Sequence, residues 1–153
     1  MALANRFAGL AADESAIARA RGDGTLAFIG APTASSLPDR VAEEVDRLLS
    51  SGLHPGEIGI VSLRGRTGQS AIFARERMGR HAIVSADNDE MREHVVADSF
   101  LRWKGLERPA IVIADLPEGQ LSQLGIRMYV ALTRALVAAR LVGTKDQEAR
   151  LLP

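Results

Sequence analysis

Apolar residues in this chain fall into short runs of strand length, separated by stretches with helical spacing. Thr25 to Ile29 is an apolar run ending at Gly30. Leu37 to Leu49 sets Val41, Val45, Leu48 and Leu49 on one side of a helix, with Ser35 or Ser36 ahead of it as a cap. Ile58 to Leu63 is rich in β-formers and is followed by Gly65, Thr67 and Gly68, after which Ser70 to Met78 reads as a helix. His81 to Ser85, Val95 to Phe100 and Ala110 to Ala114 read as strands, Leu121 to Ala139 as a long helix, and Arg140 to Gly143 as a final short strand. Strands alternating with helices imply right-handed crossovers, and so an α/β, doubly wound, mainly parallel sheet with helices on both faces. Residues 1–23, rich in alanine and charge, read as an N-terminal helix or arm, or as the remnant of a connection to something upstream. Residues 24–153 form the domain proper.

Composition narrows the chemistry more than it names it. A chain of 153 residues is one domain by length, large enough to bury about two-thirds of its unfolded surface. Lys plus Arg equals Asp plus Glu at 19 each, so no global charge draws it to nucleic acid, and such binding needs a local patch. With no cysteine and three scattered histidines there is no disulfide, no thiolate site and no histidine ligand spacing. No metal is expected to be held by this chain alone. The N-terminus carries Arg6, Asp13, Glu14 and Arg19 and no long apolar run, which reads as neither a signal peptide nor a membrane span. A cytoplasmic setting is the expectation.

The stretch Met128-Tyr129-Val130-Ala131-Leu132-Thr133-Arg134-Ala135-Leu136 sets one cation in an apolar, helix-forming run. An unpaired buried guanidinium costs several kcal/mol, so Arg134 is expected at a cleft, an anion or a partner. The competing reading is a core helix whose arginine pairs with a nearby carboxylate. At helical spacing Arg127, Ala131, Arg134 and Ala138 share a face, two fork-shaped cations among residues small enough for close approach. Ahead of the helix lies Ser99-Phe100-Leu101-Arg102-Trp103-Lys104-Gly105-Leu106-Glu107, then the apolar run 110–114 and Asp115. The loop Arg64-Gly65-Arg66-Thr67-Gly68-Gln69-Ser70, between a strand and a helix, offers two arginines, two glycines and hydroxyls to an anion. It is not a GxxxxGK[ST] phosphate loop, which no segment supplies, and Asp115 has no second carboxylate beside it for Mg²⁺.

Taken together, KGLE at 104–107 and YVALTRA at 129–135, in that order with an apolar strand between, resemble the fifth and sixth motifs of UvrD/Rep-like superfamily 1 DNA helicases. The likeness covers roughly 57–145, its first third in outline only. It implies a RecA-like fold and the second of two motor domains, whose ATP and Mg²⁺ are held mainly by an N-terminal P-loop helicase domain absent from this chain. By that resemblance Arg134 is the arginine finger on the γ-phosphate and Glu107 holds the ribose, with Lys104 and Gly105 beside the nucleotide. Arg64 and Arg66 are further nucleotide candidates, and Ser99, Arg102 and Trp103 would meet single-stranded or partly duplex DNA. The sequence departs from the family twice. Leu101 stands where many relatives have histidine, and Gln69-Ser70-Ala71 stands where they have Gln-Ser-Arg.

The residues also carry other readings. A lone tryptophan such as Trp103 is more often a packing residue than a base-stacking platform. Arg75, Glu76, Arg77 and Arg80 read as a solvated charged helix end. For the whole chain three functions compete: the C-terminal motor domain of an ATP-dependent DNA helicase or translocase, a catalytically inactive RecA-like module binding nucleic acid or protein, and an unrelated domain holding a small anion in the 64–70 loop. The first predicts that Arg64, Glu107 and Arg134 converge at one edge of the sheet.

Overall fold

A computed structural model of the chain describes residues 1–65, 69–117 and 121–152, with backbone alone at 121–123. The elements are α1 (Ala2–Phe7), α2 (Glu14–Gly22), β1 (Leu26–Ala31), α3 (Leu37–Ser50), β2 (Ile58–Ser62), β3 (Arg77–Met78), β4 (His81–Val84), β5 (Val95–Ser99), β6 (Arg108–Ala114), α4 (Leu121–Leu132), β7 (Ala135–Thr144) and α5 (Lys145–Leu151). The strands form one seven-stranded mixed sheet in the order β1-β7-β6-β2-β5-β4-β3. Every adjacent pair is parallel except β3 with β4. The protein is therefore α/β with a mostly parallel sheet, as the alternating pattern predicts.

The strands read as near-continuous apolar runs because both faces are covered. Ile58 and Ile60 of β2, Val95 and Ala97 of β5, and Ala110 and Val112 of β6 join Val41, Val45 and Leu48 of α3 in one core. Their neighbours Val61, Val96, Ile111 and Ile113 turn to the opposite face, where Ile17 of α2, Met128 of α4 and Leu151 of α5 cover them. Residues 1–23 are part of that second layer: Leu3 and Ala4 are buried, and α1 packs on α4. Asp13 caps α2 by accepting the Ala16 N–H at 3.0 Å. Of the described helices, none is long and apolar enough to cross a membrane.

Two buried details tie the layers together. Glu44 of α3, 1 % exposed, receives Arg140 Nε of β7 at 3.0 Å and Arg47 Nη1 at 2.8 Å. On the opposite face Trp103 is fully buried, and its indole N–H donates to the Ile60 carbonyl at 3.1 Å. It rests where Gly59 has no side chain; a Cβ there would stand 2.2 Å from Trp103 Cη2.

Two segments differ from their sequence reading. The long helix stops at Leu132, and 135–144 is a ten-residue strand. Alanine at 131, 135, 138 and 139 gives the run helical propensity, but pairing with β6 on one side and β1 on the other overrides it. Residues 70–78 are not a helix either. The Ser70 hydroxyl accepts the Ile72 N–H at 3.2 Å, a local bond that competes with helical pairing. Arg77–Met78 then form a short antiparallel strand against His81–Ala82, turned by Gly79 at φ +58. Arg75 is not at a helix end but reaches Asp39 of α3 at 2.7 Å.

The burial of Trp103 predicts that Trp103→Ala lowers unfolding free energy by about 3–5 kcal/mol in urea titration, the cost of emptying a core aromatic site. Gly59→Val should prevent folding or destabilise comparably. A Trp103→Ala variant as stable as the parent would return the ring to a surface role. Glu44→Ala, which leaves Arg140 without its buried partner, should cost about 3–5 kcal/mol in the same assay.

Candidate functional site

Because six strands run parallel, the sheet has one edge made of strand starts and another made of strand ends. The two collect different side chains. At the starts, β6 begins just after Glu107 and β7 just after Arg134, and the strands are neighbours in register Arg108↔Ala135. The Arg108 N–H donates to the Arg134 carbonyl at 3.0 Å, so Glu107 and Arg134 are held at the same edge on adjacent chain segments. Lys104, Gly105 and Glu107 are exposed, and Gly105 sits at φ +83, a turn conformation glycine adopts without strain. Among the described residues neither Lys104 nor Glu107 has an ion-pair partner.

Arg134 does not share a helix face with Arg127, Ala131 and Ala138, since it lies beyond the last helical residue and Ala138 belongs to β7. It is half-buried at the helix C-terminus. Its Nε donates to the Val130 carbonyl at 3.2 Å and an Nη donates to the Thr133 hydroxyl at 3.1 Å, while Thr133 Oγ1 itself donates to Val130 O at 2.9 Å. The helix ends there because these side chains satisfy its last carbonyls, and a cation at that end is favoured by the helix dipole. Among the described residues no carboxylate neutralises Arg134, which sets aside the core salt-bridge reading.

The strand ends carry a separate cleft of about 670 Å³, lined by Arg64, Gln69, Asp115, Arg127, Thr144 and Gln147 among others. Ser62, the last residue of β2, donates its hydroxyl to Asp115 Oδ2 at 2.5 Å and accepts the Arg64 N–H at 3.2 Å. Asp115 takes φ +56, an uncommon left-handed setting for a residue with a side chain, and Arg64 Nε lies 3.8 Å from its Oδ1. Arg64 also donates to the Gln69 carbonyl at 2.7 Å. Arg127 points here and not toward Arg134: it donates to the Leu63 carbonyl at 3.0 Å, with its guanidinium 5.3 Å from the centroid of Phe100. The sequence reading grouped Arg127 with Arg134 and Ala138 because it ran the helix past Leu132.

Arg64 therefore does not converge with Glu107 and Arg134. It follows β2, whereas they precede β6 and β7, and parallel strands put starts and ends on opposite edges. Arg66 and the middle of the 64–70 loop lie outside the described residues. The nucleic-acid candidates are also rearranged. Ser99 is 2 % exposed and Trp103 is sealed in the core, so neither offers a surface to a base or phosphate. Arg102 is exposed but lies between two carboxylates, Asp98 at 3.3 Å from its Nε and Asp87 on its other nitrogen. It fastens the loop after β4 to the loop after β5. The Asp87 carboxyl is held below its ordinary range first by the Ser85 hydroxyl and then by Arg102. Asp98, buried beneath, accepts the Ala86 and Ser99 N–H groups at 2.9 and 2.8 Å.

No protein-family model matches the chain, and no curated protein matches it significantly. Among the described residues no cluster of three or more His, Asp or Glu stands ready for a metal.

At the strand-start edge the chain presents cations and the exposed Glu107 carboxylate, and its sequence holds no lysine-bearing phosphate loop. The purified protein is expected to release no phosphate from Mg·ATP in a coupled assay. Sustained Mg²⁺-dependent hydrolysis that a single substitution within the chain abolishes would mean that a complete active site is present.

Proposed function

We propose that the chain is the second, RecA-like motor domain of an ATP-dependent DNA helicase or translocase of the UvrD/Rep-like kind. The observation that carries this reading is the meeting of Glu107 and Arg134 at the starts of adjacent strands. Two motifs separated by a whole strand and helix in sequence present an acceptor for sugar hydroxyls and a fork of donors for phosphate at one edge. On this reading a P-loop domain supplies the phosphate cradle and the Mg²⁺ ligands, and the strand-start edge closes over the nucleotide from the opposite side.

Arg134 then acts in trans on charge that develops as the γ-phosphoryl leaves, a role worth roughly 10³- to 10⁵-fold in comparable nucleotidases. Its bonds to Val130 O and Thr133 Oγ1 hold the guanidinium at the helix end before nucleotide arrives. Glu107 accepts from ribose hydroxyls, as acidic residues do in dinucleotide folds. Lys104, exposed on the same turn, adds positive charge. The strand-end cleft, with Arg64 and Arg127, is the better-placed receiver for the phosphates of a single strand, since Ser99 and Trp103 are enclosed. ATP and DNA would thus be engaged from opposite ends of the same parallel strands.

The reading is tested in a protein that joins this chain to a P-loop domain. Arg134→Ala should lower DNA-stimulated kcat by about 10³-fold or more while leaving single-strand affinity nearly intact, because the guanidinium acts where phosphoryl charge develops. Arg134→Lys, which keeps the charge and loses the fork, should recover little activity, and melting curves separate the capping role from the chemical one. Unchanged turnover in both variants would remove Arg134 from the chemistry and with it the arginine-finger reading. In the same protein, Arg64→Gln and Arg127→Gln should each flatten the salt dependence of oligo-dT binding by about 0.7 in log–log slope, the loss of one phosphate contact. A slope unchanged in both would remove the cleft from the strand path.

A further inference from the structure

Arg108, the first residue of β6, is a cation that the fold leaves incompletely satisfied. One Nη donates to the Glu107 carbonyl at 2.8 Å and the other to the Met91 carbonyl at 3.4 Å. Its Nε is shut off from solvent and has no hydrogen-bond partner. Among the described residues no carboxylate comes within ion-pair reach of it. Burial first, and then the charge of Arg92, depress its pKa from the ordinary guanidinium value. An arginine still carries its proton at neutral pH under such shifts. A like-charged neighbour and an orphaned donor in one place are unfavourable unless an anion arrives, since buried donors are nearly always paired.

The place is informative as well. The Arg108 N–H is bonded to the Arg134 carbonyl, Glu107 adjoins it in the chain, and Lys104 is exposed on the turn that leads into it. Lys104, Arg108, Arg134 and the neighbouring Arg92 thus lie along one edge, at or just before the strand starts, with Glu107 as the adjoining acid. A polyphosphate chain has several anionic groups spaced along it, which cations spread along an edge can meet separately.

We propose that Arg108 is a phosphate-binding residue that works with Arg134 on the polyphosphate chain of a nucleotide. The inference rests on assigning the strand-start edge to nucleotide, and it names a further residue of that site. Arg108 is held by two main-chain carbonyls, and nucleotide draws its fork outward to a charge-assisted pair that is stronger than either of those bonds.

The test uses the ¹⁵N-labelled chain as it stands, titrated with sodium tripolyphosphate while the arginine Nε–H signals are followed by NMR. The signals of Arg108 and Arg134 should move together and fit one dissociation constant, and ATP should move the same pair. Arg108→Gln should weaken tripolyphosphate binding by about tenfold, the usual consequence of losing a hydrogen bond to a charged group. Arg108→Lys should fall between, and Arg40→Gln on α3 should have no effect. The titration of the parent chain needs no substitution, so a poorly folding variant does not decide the matter. If Arg134 responds but Arg108 neither shifts nor matters when changed, this inference falls and the nucleotide-edge reading stands. If neither responds, both fall. If an oligo-dT strand moves Arg108 where tripolyphosphate does not, the edge binds nucleic acid and the nucleotide assignment is wrong.

Discussion

The connection from β5 to β6 has to cross β2, which lies between them, and it crosses by setting Trp103 against the only residue of β2 that lacks a side chain. The placing of Lys104, Gly105 and Glu107 at the strand-start edge depends on that contact. Residues 100–107 leave the end of β5, pass over Gly59 and deliver Glu107 to the start of β6. No helix is needed for the crossing, because the tryptophan itself fills the space that a crossover helix usually covers. Its N–H bond to Ile60 O fixes the ring along β2 as well as against it. A larger residue at 59 would lift the connection and with it Lys104, Gly105 and Glu107.

The second constraint is the burial of both sheet faces, which leaves the strand ends as the places where exposed polar groups gather among the described residues. Each end solves this differently. At the starts, the helix terminus at Leu132 and the turn at Gly105 bring Arg134 and Glu107 forward without a carboxylate to quench the arginine. At the ends, Ser62, Arg64 and Asp115 form a small hydrogen-bonded group, with Arg127 coming from α4 on the far side of the cleft. One mostly parallel sheet thereby separates two arginine-bearing surfaces by the length of its strands.

Much of this was legible in the sequence. β1, β2, β4, β5 and β6 were visible as apolar runs and α3 by its spacing, whereas β3 was read as part of a helix over 70–78; the pairing of motifs around 104–107 and 129–135 singled out the edge where Glu107 and Arg134 lie. Four things were not legible, each for a physical reason. The boundary of α4 was hidden because alanine is the best helix former, while the pairing of β7 with two neighbours is a tertiary effect that no local window contains. The fate of Arg64 was misjudged because the rule that ligands gather at strand ends says nothing of motifs lying before strands. Trp103 was weighed as a stacking platform because its partner, Gly59, is remote in sequence; a glycine inside an otherwise β-rich run was the available signal of a close approach. Arg108 drew no notice at all, since only the fold reveals that it lacks a carboxylate.

The central claim is that nucleotide meets the strand-start edge and not the strand-end cleft. Paramagnetic broadening by Mn·ATP tests it directly, read on backbone amides of the ¹⁵N-labelled chain joined to a P-loop domain. The account predicts selective loss of signals at 104–108 and 134–136, with those at 63–65 and 115–116 preserved. Broadening centred on 63–65 and 115–116, with 104–108 and 134–136 untouched, would contradict it.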